Sequence, residues 1–117
     1  IARCSSKLEA ALGDGMHKGI TASCSGFYAP QGRILRYELA RQNFIPTLHS
    51  FKHKTQRITN FEMETGAMYG LAKILGHHCC SINAIVANRI NNEHTHKAEE
   101  TMNSLIELVL DRLALMK

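Results

Sequence analysis

The hydrophobic period of the chain changes within residues 60–65, which read NFEMET. The stretch before this point is rich in β-branched and aromatic residues, such as Ile58 and Phe61, and predicts a strand. From Thr65 onward, apolar residues recur at helical spacing. A strand that passes directly into a helix is the repeating step of layered α/β folds, so this junction constrains the fold class more than any other feature.

The segments after this junction continue the alternation. The helix that begins near Thr65 is expected to end at Gly76, because glycine commonly terminates helices. Residues 79–88 form a nearly continuous apolar run, which predicts a strand buried on both faces. A last helix follows, and its apolar face consists of Met102, Leu105, Ile106, Val109, Leu113 and Met116.

The segments before the junction predict a helix and a second strand. Ser6 and Glu9 fit the two polar positions of a capping box, which marks a helix start. Residues 17–28 predict a strand that runs into a glycine-containing loop. Residues 34–44 fit either a strand or a helix, and a short helix is expected after Pro46. This order of elements predicts an α/β fold with layered helices around a mixed, mostly parallel β-sheet.

Composition limits the size and class of the protein. The 117 residues are 44% apolar, which suits one domain over residues 1–117. The chain begins at Ile1, without Met and close to the capping box, so we expect an incomplete domain, the C-terminal portion of a longer one. The net charge of +4 is scattered and forms no basic run, which argues against nucleic-acid binding.

The sequence also argues against several kinds of site and partner. No apolar run approaches the roughly 18 residues that a membrane helix needs. The four cysteines lack regular disulfide spacing, which favours a reducing cytoplasm. The run HHCC at residues 77–80 lacks the separated ligand pairs of a zinc site, so no metal is expected. The glycine motifs of P-loops, dinucleotide sites and nucleophile elbows are absent from the sequence.

Candidate functional residues lie in the loops that follow predicted strands. Ligands of α/β sheets bind beyond the carboxyl ends of strands, so the loops at residues 25–33, 61–65 and 87–94 are expected to converge there. The polar segment 88–96 fits either a mobile lid or a solvated loop.

The first of these loops, SGFYAPQGR, holds three side chains suited to a heterocycle. The Gln31 amide can both donate and accept hydrogen bonds, which suits a heterocycle with alternating N–H and C=O groups. The Arg33 guanidinium can bond a carbonyl on which negative charge grows, and Phe27 can pack on a base or a sugar. The alternative is a surface turn with a core aromatic residue.

The pair Glu62 and Glu64 leaves three interpretations open. Carboxylates can accept hydrogen bonds from the neighbouring hydroxyls of a diol. They can also act as an acid/base pair, as in glycoside hydrolysis, although two carboxylates on the same side of one strand fit that role poorly. The third interpretation is helix N-terminal charge, which accounts for Glu64 but not for Glu62.

Three segments in this order resemble the uridine phosphorylase branch of the nucleoside phosphorylase family: ITASCSGFYAPQGR, NFEMETGAMYGLAKILGH and IVANR. The F-Y-x-x-Q-x-R loop, the E-M-E junction and the I-V-x-N-R strand end make a specific combination. The resemblance runs over nearly all of the chain and covers the latter half of a typical member. It implies reversible phosphorolysis, in which a nucleoside and phosphate give a free base and ribose 1-phosphate, with phosphate as co-substrate and no other cofactor.

The resemblance also implies roles for individual residues. Phe27, Gln31 and Arg33 would bind the base, and Arg33 would stabilise charge on the departing uracil. Glu64 and the Met63 backbone would hold the ribose hydroxyls, with Glu62 nearby. Arg33 and Glu64 would therefore be the catalytic residues.

Further implications concern the lid, the base and the assembly. Val86, Ala87 and Arg89 would belong to a lid that closes over the base. Purine-type relatives carry an acidic residue after this strand, and its absence here favours a pyrimidine nucleoside such as uridine. The family resemblance also implies a homo-oligomer, a hexamer built from dimers.

The chain departs from the family pattern because the family's phosphate-binding glycine and arginines, and a sugar-contacting threonine, lie in the N-terminal half. We therefore expect the 117-residue chain alone to be inactive and to expose sheet edges and apolar surface. Two alternatives to a phosphorylase stay open. One is a nucleosidase, which uses water in place of phosphate, and the other is a non-catalytic nucleoside-binding or assembly fragment.

Overall fold

The computed structural model describes residues 1–116, in which helices and strands alternate along the chain. The elements are α1 (Ser6–Leu12), β1 (Ile20–Ser23), a 3₁₀ turn (Ala29–Gln31), α2 (Phe44–Ser50), β2 (Lys52–His53), β3 (Gln56–Glu62), α3 (Thr65–Leu75), β4 (Ala87–Asn88), β5 (Glu93–His94) and α4 (Ala98–Ala114).

The sheet is centred on β3. β1 pairs with β3 in parallel, from Ile20 opposite Ile58 to Ser23 opposite Glu62. β2 pairs with the start of β3 in antiparallel fashion. The prediction of an α/β fold with a mixed sheet is therefore confirmed, and the parallel pair brings the ends of β1 and β3 to one edge.

The strand-to-helix junction lies where the change of period predicts it. β3 ends at Glu62, Glu64 is the N-cap residue of α3, and Thr65 begins the helix. Gly76 ends α3 in the left-handed conformation, at φ 73°, which glycine adopts without steric cost. This part of the prediction is confirmed.

The first helix begins as expected but is capped by a different serine. Ser5 is the N-cap residue, and its hydroxyl accepts the Leu8 N–H at 3.4 Å. Ser6 is already helical, so the capping box with Glu9 does not form. Glu9 instead pairs with Lys18 at 2.9 Å. Serine is a favoured N-cap residue, so Ser5 and Ser6 are both able to cap this helix.

α2 also begins earlier than predicted. The helix starts at Phe44, so Pro46 is its third residue and does not precede it. Proline is tolerated there because the first N–H groups of a helix have no intrahelical partner.

The predicted strand over residues 79–88 is wrong except at its end, where Ala87 and Asn88 form β4. A strand needs a partner for its backbone groups, and within residues 1–116 the segment before β4 pairs with no other strand. The start of the segment is held by a hydrogen bond instead, which the Ser5 N–H donates to Cys79 O at 2.8 Å. Ile85 is 58% exposed, so the segment is not buried on both faces.

α4 forms as predicted, but its apolar face is only partly covered. Leu105 and Val109 are half-buried, whereas Met102 and Ile106 are exposed. Arg112 docks the helix by donating hydrogen bonds to the backbone carbonyls of Leu12 and Asp14, the latter at 2.8 Å.

The core is small. Among residues 1–116, Leu12 is the one hydrophobic residue that is buried, at 5% exposure. The radius of gyration is 15.8 Å, whereas a compact domain of this length has about 13 Å. Apolar residues such as Leu71 and Ile74 of α3 face solvent, which agrees with the expected exposed apolar surface. No helix in residues 1–116 combines the length and apolarity needed to cross a membrane.

Candidate functional site

A cleft of about 650 Å³ runs along β3, between the loop after β1, α2 and the segment 83–91. It is lined by six of the residues that the sequence marks for a site: Gln31, Arg33, Glu62, Val86, Ala87 and Arg89. The structure thus brings together residues from all three predicted loops. Phe27, Met63 and Glu64 lie outside its lining.

The loop after β1 is held in shape by the 3₁₀ turn. Gly32 follows the turn in the left-handed conformation, at φ 72°, and the Arg33 N–H donates to Tyr28 O at 3.0 Å. This reversal places the Gln31 side chain inside the protein, where it is 5% exposed. The amide therefore has a fixed position on the wall of the cleft.

Arg33 contacts the two other residues of this loop that the sequence marks for a site, Phe27 and Gln31. Its Nη1 donates to Gln31 Oε1 and to Phe27 O, each at 2.5 Å. Its guanidinium also stacks over the Phe27 ring, 3.8 Å from the ring centre. Phe27 therefore orients Arg33 within this chain, and it does so from outside the cleft.

Glu62 is held by a set of hydrogen bonds at the end of β3. Its Oε1 accepts from the Ser23 hydroxyl at 2.6 Å, and its Oε2 accepts from the N–H groups of Glu64 and Thr65 at 2.6 and 2.7 Å. Burial alone would raise the pKa of Glu62, but the hydrogen bonds from Ser23, Thr65 and Glu64 outweigh it and hold the pKa below its ordinary value. Glu62 is thus a charged cap on the first turn of α3.

Glu64 has a different environment, although it is only two residues away. It is the N-cap residue of α3, with φ −123° and ψ −34°, and its side chain is exposed. Met63 is exposed as well, at 40%. Glu64 is therefore the more exposed of the two residues, whereas Glu62 is the one that lines the cleft.

Arg89 reaches across the cleft from the turn after β4. Its Nη1 donates to Gln31 O at 2.5 Å and its Nη2 to Gly32 O at 3.3 Å. Its guanidinium lies 5.5 Å from the centre of the Phe61 ring. Burial, and then the positive charge of Arg33, lower the pKa of Arg89.

The cleft also contains residues that sequence reasoning missed. His49 of α2 and Arg57 of β3 add polar and cationic groups to the lining. Ser23, which lies outside the lining, was missed too, because its role depends on its position opposite Glu62 in the sheet. Within residues 1–116, no group of three or more His, Cys, Asp or Glu side chains is placed to hold a metal ion.

Comparison with known proteins identifies the class. The model of the phosphorylase superfamily matches residues 2–115. The chain therefore belongs to the phosphorylase superfamily, and the resemblance carried by its three motifs is confirmed.

A curated relative narrows the comparison further. The chain is similar to the uridine phosphorylase of Thermococcus kodakarensis, with 40% identity over 93 residues. The matched residues make up 76% of this chain and 31% of that protein, so the chain spans about a third of the relative's length. No solved structure matches the chain.

Proposed function

We propose that this chain supplies the base, ribose and lid residues for the phosphorolysis of uridine, in which uridine and phosphate give uracil and ribose 1-phosphate. The observation that carries the proposal is the cleft in which Gln31, Arg33 and Glu62 meet the segment that ends in Arg89. Membership of the phosphorylase superfamily and the similarity to a uridine phosphorylase support this chemistry.

The electrostatics of the cleft suit a leaving group that becomes an anion. Its lining includes three arginines, Arg33, Arg57 and Arg89. The acidic residue of the lining, Glu62, accepts a hydrogen bond from the Thr65 N–H at the start of α3. Cleavage of the glycosidic bond moves negative charge onto the base. Cationic groups placed in advance stabilise that charge in the transition state more than in bound uridine, which lowers the barrier.

Gln31 and Arg33 are the groups proposed to bind the base. The Gln31 oxygen already accepts from Arg33, so its amide nitrogen is the donor proposed to meet a base carbonyl. Arg33 then shares its charge between Gln31 and the second carbonyl of uracil. The pair is held by the 3₁₀ turn and by stacking on Phe27, so little ordering is needed when the base binds.

Glu64 is the group proposed to accept hydrogen bonds from the ribose hydroxyls. Glu64 is exposed and lies two residues beyond Glu62, which lines the cleft and is occupied in capping α3. We place the ribose at the Glu62 end of the cleft, with the base towards Gln31. Phosphate would be bound by residues outside this chain, and the whole protein is proposed to be a homo-oligomer.

The test is phosphate-dependent release of uracil from uridine. The chain spans about a third of its relative, so the assay uses both the chain and a chimeric protein in which it replaces the matching segment of the Thermococcus kodakarensis uridine phosphorylase. We expect turnover by the chimera and none by the chain alone.

Other outcomes of this assay identify the alternatives. Release of uracil without phosphate would identify a nucleosidase. Binding of uridine by the chimera without turnover, while the intact relative turns over under the same conditions, would indicate a nucleoside-binding fragment and would contradict the proposal.

A further inference from the structure

Arg89 connects two parts of the cleft that are 58 residues apart in sequence. We infer that Arg89 is a positioning residue that latches the β4–β5 hairpin onto the loop of residues 27–33, so that opening of the hairpin releases the wall that carries Gln31 and Arg33. The inference deepens the proposed function and depends on it only for the identity of the molecule that this wall binds.

The hairpin holds Arg89 in a turn that is closed by its own hydrogen bonds. The Asn88 side-chain oxygen accepts the N–H groups of Ile90 and Asn91 at 3.0 and 3.3 Å. Ala87 and Asn88 pair with β5, and Thr95 N–H donates to Val86 O at 2.9 Å. Because the turn is internally bonded, the Arg89 backbone moves with the hairpin as one unit.

The acceptors of the latch are the carbonyls at the end of the 3₁₀ turn. Carbonyl groups at a helix end lack intrahelical partners, so they need a donor from elsewhere. Arg89 reaches two of them, on Gln31 and Gly32, with two nitrogens of one guanidinium. The planar fork of arginine suits two neighbouring acceptors, whereas lysine offers a single point of contact.

The chemistry of the contact suits a latch that opens. Both acceptors are neutral carbonyls, and neither is a carboxylate. Arg33 lies close enough for its charge to oppose that of Arg89, and the one acidic residue of the lining, Glu62, is engaged by Ser23 and the start of α3. The contact therefore aligns the two loops without a neutralising ion pair that would hold them permanently.

A latch and a general structural tie make different predictions. If Arg89 only stabilised the fold, its loss would speed the opening of all elements together. If it latches the hairpin to the loop, its loss would free the amides of Gln31, Gly32 and Arg33. These amides donate to Tyr28 O and Ala29 O within the 3₁₀ turn and are protected by those bonds.

Amide hydrogen exchange on the whole chain tests the inference. The variants are Arg89→Ala, Arg89→Lys and the matched control Arg41→Ala, which removes an exposed guanidinium outside the cleft. In Arg89→Ala we expect exchange in residues 27–33 to rise on the order of tenfold or more, the effect of losing a charged hydrogen bond. Arg89→Lys should restore part of the protection. Exchange in α4 should stay unchanged in every variant, and Arg41→Ala should match the original protein throughout.

Two results would overturn the inference. One is unchanged exchange in residues 27–33 of Arg89→Ala, and the other is an equal rise in the loop and in α4. Exchange does not depend on turnover, so a protein that fails to release uracil leaves this test readable. The latch and the proposed function can thus fail separately.

Discussion

Ser23 and Glu62 face each other across the parallel strands β1 and β3, and the Ser23 hydroxyl donates to Glu62 Oε1 at 2.6 Å. Ser23 Oγ accepts the Gly66 N–H at 2.6 Å, while Glu62 Oε2 accepts those of Glu64 and Thr65. Two side chains at the ends of neighbouring strands thus satisfy three N–H groups at the start of α3. The strand order, the helix start and the position of Glu64 are coupled through this pair.

Replacing Glu62 tests that coupling. Glu62→Gln should lower the free energy of unfolding at pH 7 by about 1–2 kcal/mol, because the amide lacks the negative charge that strengthens these hydrogen bonds and interacts with the positive end of α3. The folded-state pKa of Glu62 is lowered, so its contribution is complete above the ordinary carboxyl pKa and is lost as pH falls through the lower folded value. The difference between the two proteins should therefore shrink in acid.

Urea unfolding at pH 7 and at several acid pH values measures this effect. Glu38→Gln is the control, since Glu38 is exposed and lies outside the cleft. An equal loss of stability at every pH would contradict the assignment of Glu62 as a charged cap.

The cap of α1 provides a second prediction. Ser5→Ala should lower the free energy of unfolding by about 1 kcal/mol, because the Leu8 N–H loses its acceptor. Ser6→Ala is the matched control and should change the stability by less than about 0.5 kcal/mol. Thermal or urea unfolding distinguishes the two, and a larger loss in Ser6→Ala would show that the helix begins one residue later.

The third prediction concerns Arg33. In the chimeric protein, Arg33→Ala should reduce the rate constant of uracil release by on the order of 10²-fold, because a preorganised charge at the leaving group is removed. Arg36→Ala, which changes an exposed arginine three residues away, is the control. Steady-state kinetics measure the effect, and an unchanged rate constant would remove Arg33 from the proposed mechanism.

The fourth prediction is that Glu64 contributes to ligand binding, whereas Glu62 contributes to the stability of the fold. Glu64→Ala should weaken uridine binding by about tenfold or more, the effect of losing a charged hydrogen bond to the ribose. Binding of free uracil should not change, because uracil has no ribose. Calorimetric titration of the chimera with both ligands tests this difference. Equal weakening for uridine and uracil would place Glu64 at the base.

The fifth prediction concerns the thiol of Cys80. Burial, together with the neighbouring Cys4, raises its pKa to about 11. At pH 8 only about a thousandth of this thiol is therefore ionised, and alkylation by iodoacetamide should be slow in the folded chain. Peptide mapping after timed labelling, with the urea-unfolded chain as reference, measures the rate. Equal labelling in both states would contradict the burial of this thiol.

Much of the fold could be predicted because its signals are local. The change of period at NFEMET, the glycine at position 76 and the apolar face of α4 depend on residues within a few turns of one another. The start of α1 was off by one residue, because Ser5 and Ser6 are both able to cap a helix. The strand predicted over residues 79–88 failed because a strand depends on a partner, and an apolar run does not reveal whether one is present.

The residues of the cleft could also be predicted only in part, because their identity is local whereas their contacts depend on distant segments. The motifs marked Gln31, Arg33 and the segment that ends in Arg89, and the structure places them in one cleft. The motifs did not reveal that Phe27 stacks on Arg33 from outside the cleft. They also did not reveal that Arg89 donates to backbone carbonyls in the loop of residues 27–33, because that contact joins segments 58 residues apart.

The sequence by itself determined the family, the order of most elements and the identity of the polar groups, because those properties follow from local spacing and residue type. Only the tertiary structure decided the role of each carboxylate in NFEMET. Parallel pairing places Ser23 opposite Glu62, and the turn into α3 aims two N–H groups at the same carboxylate. Glu62 therefore accepts hydrogen bonds within the fold, whereas Glu64 stays exposed. This difference arises because the register of the parallel strands brings Ser23 and Glu62, 39 positions apart in sequence, into contact.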